Sequence, residues 1–136
     1  MTAFQKIHSA RHARVKEPKV QWAAPKDCAV SLDDWLALTH HPDAPVRARA
    51  IGDACPCHMK KNVPELWDRL IEMVADEDAK VRSHVFHILG DGSPRAREAE
   101  IVAALERLWN DPDEKLRRRV RKLLASYRRN GWINQL

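Results

Sequence analysis

The chain has 136 residues, of which 32% are charged, and a mean hydropathy of -0.56, which predicts one soluble domain with a modest core. No apolar run approaches the roughly 18 residues of a membrane span, and the N-terminus lacks the apolar stretch of a secretory signal. Three cysteines, an odd number, argue against a disulfide framework, so we expect a cytoplasmic location.

The net charge of +5 hides a segregation along the chain. Residues 1–30 carry a charge of +4, residues 31–114 carry −7, and residues 115–136 carry +8 without an acidic side chain. A uniformly basic coat would indicate nucleic acid directly. Basic ends around an acidic middle fit an acidic partner, or head-to-tail association with a second copy, equally well.

The first segment, residues 1–30, keeps no helical or strand period and contains Pro18 and Pro25, which predicts an extended basic arm. One interpretation is a tail that wraps around a partner. The other is an arm whose Val20 and Trp22 cover the open apolar end of the next unit, because terminal units need a cover.

The first predicted helix begins at Ser31, and Asp34 three residues later indicates a capping box for a helix over 31–40. A run of proline, histidine and aspartate then breaks the helix. The second helix is expected over about 44–55, with Val46 among its inward side chains.

The second pair of helices is expected to begin with Asn62 as the cap and Pro64 in the first turn. After an acidic turn at 76–78, its second helix is expected to end at Gly90, a residue typical of helix C-caps.

The third pair is expected to start at Ser93, with its second helix over 112–129. Apolar residues in the tail, Trp132 and Ile133 among them, are predicted to fold back on that last helix.

One motif recurs three times at a spacing of 35 residues, together with the apolar positions around it. It is an aspartate followed by two residues, then valine or leucine, then arginine. Its aspartate and arginine are Asp43 and Arg47, Asp78 and Arg82, and Asp113 and Arg117. A period of roughly 20–50 residues is typical of architectures in which each unit buries its apolar face against its neighbours.

The predicted fold is therefore all-α: a short α-solenoid of three antiparallel helix pairs. Its units are 31–62, 63–92 and 93–129, between a basic arm at 1–30 and a tail at 130–136. Ile51 and Phe86 occupy equivalent apolar sites, but the third unit has Arg121 there. That change is typical of a capping substitution, so we expect the array to end with the third unit.

The repeated motif resembles the HEAT repeat, in particular the short bacterial version also found in phycobilisome lyase subunits. The likeness covers about 31–129. It implies a binding scaffold, and it implies that the aspartates and arginines of the motif form a ladder between adjacent units. Their spacing also permits an i,i+4 pair within each helix. The catalytic arrangement of the HEAT-like DNA glycosylases has no counterpart among these residues, and no other catalytic pattern stands out, so the chain is expected not to be an enzyme.

A basic surface is the main candidate for function. Equivalent positions of a solenoid stack into columns, and the second helices line its inner, usually ligand-facing surface. The candidate partner-binding residues are Arg49, His84, His87, Arg118, Arg119, Lys122 and Arg128. The leading hypothesis is a non-catalytic protein-interaction scaffold that binds an acidic partner segment there. Nucleic-acid binding by the same surface is the alternative, and a merely solvated face is the third interpretation.

A second candidate site is the Cys55-Pro56-Cys57-His58 stretch. Thiolates and an imidazole are ligands suited to zinc, and His40, His41 or Cys28 could supply a fourth. The single-residue gap between the cysteines differs from the usual zinc spacing, so a plain helix end with a buried Cys55 competes with a metal or redox site.

Two histidines on one predicted helix, His84 and His87, lie three residues apart, a spacing that could bind a metal or sense pH. No third convergent ligand accompanies them, so partner contact is the preferred interpretation. No pattern of nucleophile and base and no glycine-rich phosphate loop stands out.

Overall fold

A computed structural model of the chain describes residues 30–53 and 63–133. Within those ranges six α-helices follow one another, with short 3-10 segments at Met73–Ala75 and Arg95–Arg97 and no strand. The helices are α1 (Leu32–Thr39), α2 (Ala44–Gly52), α3 (Pro64–Glu72), α4 (Ala79–Asp91), α5 (Glu98–Glu106) and α6 (Glu114–Asn130). The all-α prediction is confirmed.

The helices form two layers. The first helices α1, α3 and α5 contact one another in sequence, and so do the second helices α2, α4 and α6. Contacts between α1 and α2, α3 and α4, and α5 and α6 join the layers. Equivalent helices therefore stack as in a solenoid, and the predicted short solenoid of helix pairs is confirmed. The predicted arm, apart from Val30, lies outside the described residues.

One apolar core runs between the layers, and the repeated apolar positions fill it. In the second helices the fully buried column is Ala50, Val85 and Val120. In the first helices the matching column is Trp35, Leu70 and Leu105. Val46, expected to point inward, is only half-buried, whereas its equivalents Val81 and Leu116 are buried. Val46 lies in the first described pair, which has no described pair before it, whereas Val81 and Leu116 lie in helices that each follow another second helix.

The aspartate of the repeated motif begins each second helix. Asp78 Oδ1 accepts hydrogen bonds from the backbone N–H groups of Lys80 and Val81, at 2.9 and 3.0 Å. Asp113 Oδ1 accepts from Leu116 at 2.8 Å. These are side-chain N-caps, which satisfy backbone donors that have no partner within the helix.

The predicted cap of α1 is confirmed, because Ser31 Oγ accepts from the Asp34 N–H at 3.1 Å. Pro64 lies in the first turn of α3 as expected, after Val63 as the N-cap residue. The predicted cap Asn62 lies outside the described residues.

The predicted helix end at Gly90 is wrong, because α4 continues through Asp91 and Gly92 is the C-cap. Gly90 instead lies inside the helix, where a Cβ atom would stand 3.0 Å from Cδ2 of Leu123. The missing side chain lets α4 approach α6 closely. The sequence indicates a C-cap because glycine is common near helix ends. It contains no information about the contact with Leu123.

A ladder of buried arginine–aspartate pairs connects the units. Arg47 donates through Nε and Nη2 to the two carboxylate oxygens of Asp76, at 2.9 and 3.0 Å. Arg82 donates in the same way to Asp111, at 2.8 and 3.1 Å. All four side chains are at most 10% exposed. Such bidentate ion pairs fix the position of one unit against the next.

The acids of the ladder are not those of the motif. Asp76 and Asp111 stand two positions before the motif aspartates Asp78 and Asp113, so the expected ladder between motif residues is wrong. The i,i+4 pair within each helix does not form in the described residues either. Asp78 and Asp113 accept hydrogen bonds from N–H groups of their own helices, and Arg47 and Arg82 reach across to the next unit.

The pKa of Asp76 shows the balance at one rung of the ladder. Burial by itself would raise the pKa of this carboxyl group, but hydrogen bonds from Arg47 and from the backbone of Asp78 hold it below its ordinary value of 3.8. The pKa of Arg47 is raised, chiefly by the hydrogen bond to Asp76. The pair is therefore charged over the whole neutral range.

The last described unit ends in polar residues. Ile51 and Phe86 are buried, whereas Arg121 at the equivalent position is exposed, as the capping interpretation predicts. Gly131 ends α6 with a positive φ of 78°, which glycine adopts without strain. Ile133 is buried and donates its N–H to Glu98, while Trp132 is 49% exposed, so only part of the predicted fold-back occurs within the described residues.

Candidate functional site

The two layers carry opposite charge. The first helices contain eight acidic residues and one basic residue, whereas the second helices contain twelve basic residues and two acidic ones. We call α2, α4 and α6 together the second-helix layer. α6 alone supplies eight of its basic residues and one of its acids. Arg47 and Arg82 are buried between units, and the other ten basic residues make the second-helix layer the basic side of the solenoid.

A cleft of about 390 Å³ lies where α2 and α4 meet. Its charged and titratable lining comprises Arg49, Asp53, Asp78, Lys80 and His84. The half-buried His84 reaches in beside Gly52, where a Cβ atom would lie 3.1 Å from its Nδ1 atom. Two of the predicted partner-binding residues, Arg49 and His84, thus line one depression.

Exposed pairs along single helices hold several of the predicted residues. Arg49 Nε lies 3.4 Å from a carboxylate oxygen of Asp53, and His87 Nε2 lies 3.6 Å from one of Asp91. Arg118 donates to Glu114 one turn earlier. These side chains are between 44% and 77% exposed, so water and salt weaken the pairs and the cations remain accessible.

Arg119 is partly committed to packing. Its guanidinium lies over the Phe86 ring, 4.9 Å from the centroid, and its Nη1 donates to Ser83 Oγ at 3.1 Å. Arg119 thus connects α6 to α4 through Phe86 and Ser83. A substitution at Arg119 therefore changes the contact between units as well as surface charge.

The other basic residues of α6 point in two directions. Lys122 is exposed and lies with Arg118 on the outer side of the helix. Arg128 lies over the ring of Trp109 at 5.3 Å. Residues 119 and 128 are about 180° apart around an α-helix. Arg128 therefore belongs to the end of the array, and the predicted set of seven does not form one patch.

Two basic residues near the candidate site, Lys80 and Arg121, are absent from the predicted partner-binding set. Lys80 lines the cleft, and its place four residues before His84 would have put it on the same side of the helix. Arg121 stacks on Trp109 at 5.1 Å and donates from Nε to the carbonyl oxygen of residue 109 at 3.0 Å. Its role as an end cap was predicted, but its contact with this tryptophan has no signal in the sequence.

The predicted metal ligands Cys55, Cys57 and His58 lie outside the described residues, as does Cys28. Within 30–53 and 63–133, no group of three or more histidine, cysteine or acidic side chains is placed to hold a metal ion. His84 and His87 accordingly remain a pair. A zinc or redox site at 55–58 stays a prediction.

The fold and this charged layer define a short helical-repeat protein with one acidic and one basic face. The model of the family of HEAT repeats matches residues 32–125. The chain belongs to the HEAT-repeat family, and the resemblance inferred from the motif is confirmed. HEAT repeats generally serve as protein-interaction scaffolds, and the family is typically non-catalytic.

Comparison with curated proteins and with solved structures returned no match. Among the described residues, no helix combines the length and apolar character needed to cross a membrane.

Proposed function

We propose that this HEAT-repeat chain is a non-catalytic scaffold whose second-helix layer binds an acidic segment of a partner protein. The supporting observation is the opposite charge of the two layers, with twelve basic and two acidic residues on the second helices. An acidic segment would be attracted to this layer and repelled by the first-helix layer, which selects both the partner and the face that it meets.

The contact surface in this proposal has two parts. Arg49, Lys80 and His84 surround the cleft between α2 and α4, and Arg118 and Lys122 extend the surface along α6. The cations at Arg49 and Arg118 have only exposed partners one turn away. A carboxylate from another protein replaces such partners at little cost, because exposed pairs contribute little stability.

The buried charged residues support a scaffold rather than an enzyme. In the described residues they are Arg47, Arg82 and Asp111, and each takes part in the ladder between units. Their hydrogen bonds are used to connect units. The exposed cations lie along a surface, which suits recognition of an extended segment.

Nucleic-acid binding by the same layer is the second candidate, favoured by the eight basic residues of α6. Phosphate contacts would use these cations without sequence preference. Base stacking would require several exposed aromatic rings, but Trp132 is the one large hydrophobic side chain exposed among the described residues, and two guanidinium groups cover Trp109. This argues for the acidic protein segment.

The test is affinity capture with the chain immobilised, comparing wild type with the double variant Arg118→Glu and Lys122→Glu. Both residues are exposed and Lys122 makes no core contact, so the fold should survive, as thermal unfolding would verify. We expect the variant to lose the acidic protein that wild type retains. Capture unchanged by the double reversal would contradict the proposal.

The matched control reverses two charges on the opposite layer, Glu65→Lys and Glu106→Lys, which are also exposed. This variant should retain the partner. Nuclease treatment separates the two candidates: protein binding survives it, whereas binding that disappears with the nucleic acid, and that falls steeply as salt rises, would favour the second candidate.

A further inference from the structure

The three motif arginines are anchored alike. Nη1 of Arg47 donates to the carbonyl oxygen of His41 at 2.9 Å, and Nη1 of Arg82 donates to that of Asp76 at 2.9 Å. Nη1 of Arg117 donates to the carbonyl oxygen of Asp111 at 2.8 Å. In each unit, therefore, the turn before the second helix holds one edge of the guanidinium in the same way.

The other edge differs between the units. Arg47 and Arg82 use Nε and Nη2 to bind the two oxygens of an aspartate from the following unit. No carboxylate of the described residues pairs with Arg117. Its Nε and Nη2 thus form a fork that its backbone anchor has already placed for a carboxylate, with no residue of the described ranges filling it.

The surroundings of this fork are cationic. Arg121 and Arg128 lie within about 40° of Arg117 around α6, and both stack on Trp109. Positions equivalent to Arg121 hold the buried Ile51 and Phe86 in the earlier units. The end of the array therefore lacks the apolar column that a further repeat would cover. It suits an acidic chain, which would relieve the repulsion among three neighbouring cations.

A second copy of the chain does not fit the fork. The position equivalent to Asp76 and Asp111 in the first unit is His41, whose Nδ1 accepts the Asp43 N–H at 3.0 Å. Asp76 Oδ1 accepts the Asp78 N–H in the same way, at 2.9 Å. His41 thus shapes the turn, but it offers no carboxylate to an arginine of a copy stacked head to tail.

We propose that the fork of Arg117 is a separate binding site for an aspartate or glutamate side chain of a partner protein. The partner's carboxylate takes the place that Asp76 and Asp111 take at the earlier rungs, and adjacent acids of the same segment face Arg121 and Arg128. This end site lies on a different side of α6 from Arg118 and Lys122, and its existence does not depend on the surface that contains those two residues binding anything.

The probe is a peptide with the sequence of residues 72–79, which contains the Asp76 turn that fills the Arg47 fork. It is titrated into 15N-labelled protein while the arginine Nε–H resonances are followed by NMR. We expect the Arg117 resonance to shift saturably. We expect an Arg117→Lys variant, which keeps the charge and loses the fork, to bind the peptide at least tenfold more weakly, as should a peptide with asparagine at position 76.

The matched control is Arg107→Lys, an exposed arginine at the end of α5 that belongs to neither proposed site, and the peptide affinity of this variant should stay within twofold of wild type. Peptide binding that is absent, or equally weakened in both lysine variants, would overturn the end site. So would tighter binding of inorganic phosphate than of the peptide. Self-association in sedimentation that Arg117→Lys abolishes would replace the acidic partner with a second copy. Because none of these readouts involves Lys122, the second-helix layer is tested separately.

Discussion

Arginine plays two different parts in the two regions of this molecule. In the ladder, the Arg82 side chain is 10% exposed and binds both oxygens of an aspartate in the next unit. On the outer side of α6, the Arg118 side chain is 77% exposed and pairs with Glu114 one turn away. The guanidinium is the same in both. What differs is whether a neighbouring unit removes water from the pair, which decides whether the charge joins units or remains free for a partner.

The comparison predicts its largest effect at Arg82. Replacing it by alanine leaves the Asp111 carboxylate buried without its counterion, so we expect the free energy of unfolding to fall by about 3–5 kcal/mol. Urea denaturation followed by circular dichroism measures the change. A loss below about 1 kcal/mol would show that the ladder does not join the units.

A second prediction concerns Asp76 and pH. Because its pKa in the folded state lies below the ordinary value of 3.8, the charged pair contributes stability that is present above pH 3.8. That contribution is lost as the pH falls through the lower, folded-state pKa. We expect Asp76→Asn to cost about 2 kcal/mol at pH 7, and this gap to wild type to narrow in strong acid. Denaturation series from neutral pH downwards check this, and a gap independent of pH would contradict it.

A third prediction compares Arg82, which pairs with an aspartate, with Arg117, which has no carboxylate partner among the described residues. Arg117 has the backbone anchor of Arg82 but no carboxylate in the described residues. We therefore expect Arg117→Ala to cost about 1 kcal/mol, clearly less than Arg82→Ala in the same denaturation assay. Equal losses at the two positions would mean that the backbone anchor, and not the aspartate, carries the stability of the rung.

The smallest effect is expected on the surface of α6. Replacing Arg118, Glu114 or both by alanine should change the free energy of unfolding by less than about 0.5 kcal/mol, because exposed ion pairs contribute little stability in water. A double-mutant cycle measures the coupling between the two side chains. A coupling near that of a buried pair would remove the distinction between the two regions and would make Arg118 a poor partner-binding residue.

The fold was largely predictable because equivalent positions of successive repeats are buried in the same way. The apolar position of Val85 recurs every 35 residues in the sequence, and so does that of Leu105. Burial in the structure follows the same period. The Ser31 cap and the change to Arg121 were also predictable, since each depends on a local hydrogen bond or on a column that the sequence displays. The helix end at Gly90 was not, because the contact that requires a glycine there comes from Leu123 on another helix.

The candidate site was predictable only as a set of residue types. The sequence placed Arg49 and His84 at equivalent positions of adjacent units, 35 residues apart, and the two meet in the cleft. It also grouped Arg128 with Arg119, but these residues contact Trp109 and Phe86 at opposite sides of α6. The helical period gives the direction of each side chain around the axis of its own helix. It does not give the neighbouring residue that lies in that direction.

By itself, the sequence determined that the described part of this chain is a HEAT-like solenoid of three helix pairs with its positive charge concentrated at the last of those helices, because the repeat period and the charges can be read from the residue order. Only the tertiary structure decided which aspartate meets each arginine. The motif places an acid four residues before Arg47 and Arg82, yet the carboxylates that bind them come from 29 residues further along the chain. Stacking of units brings those turns within reach, and at Asp78 the nearer carboxylate is already held by N–H groups of its own helix.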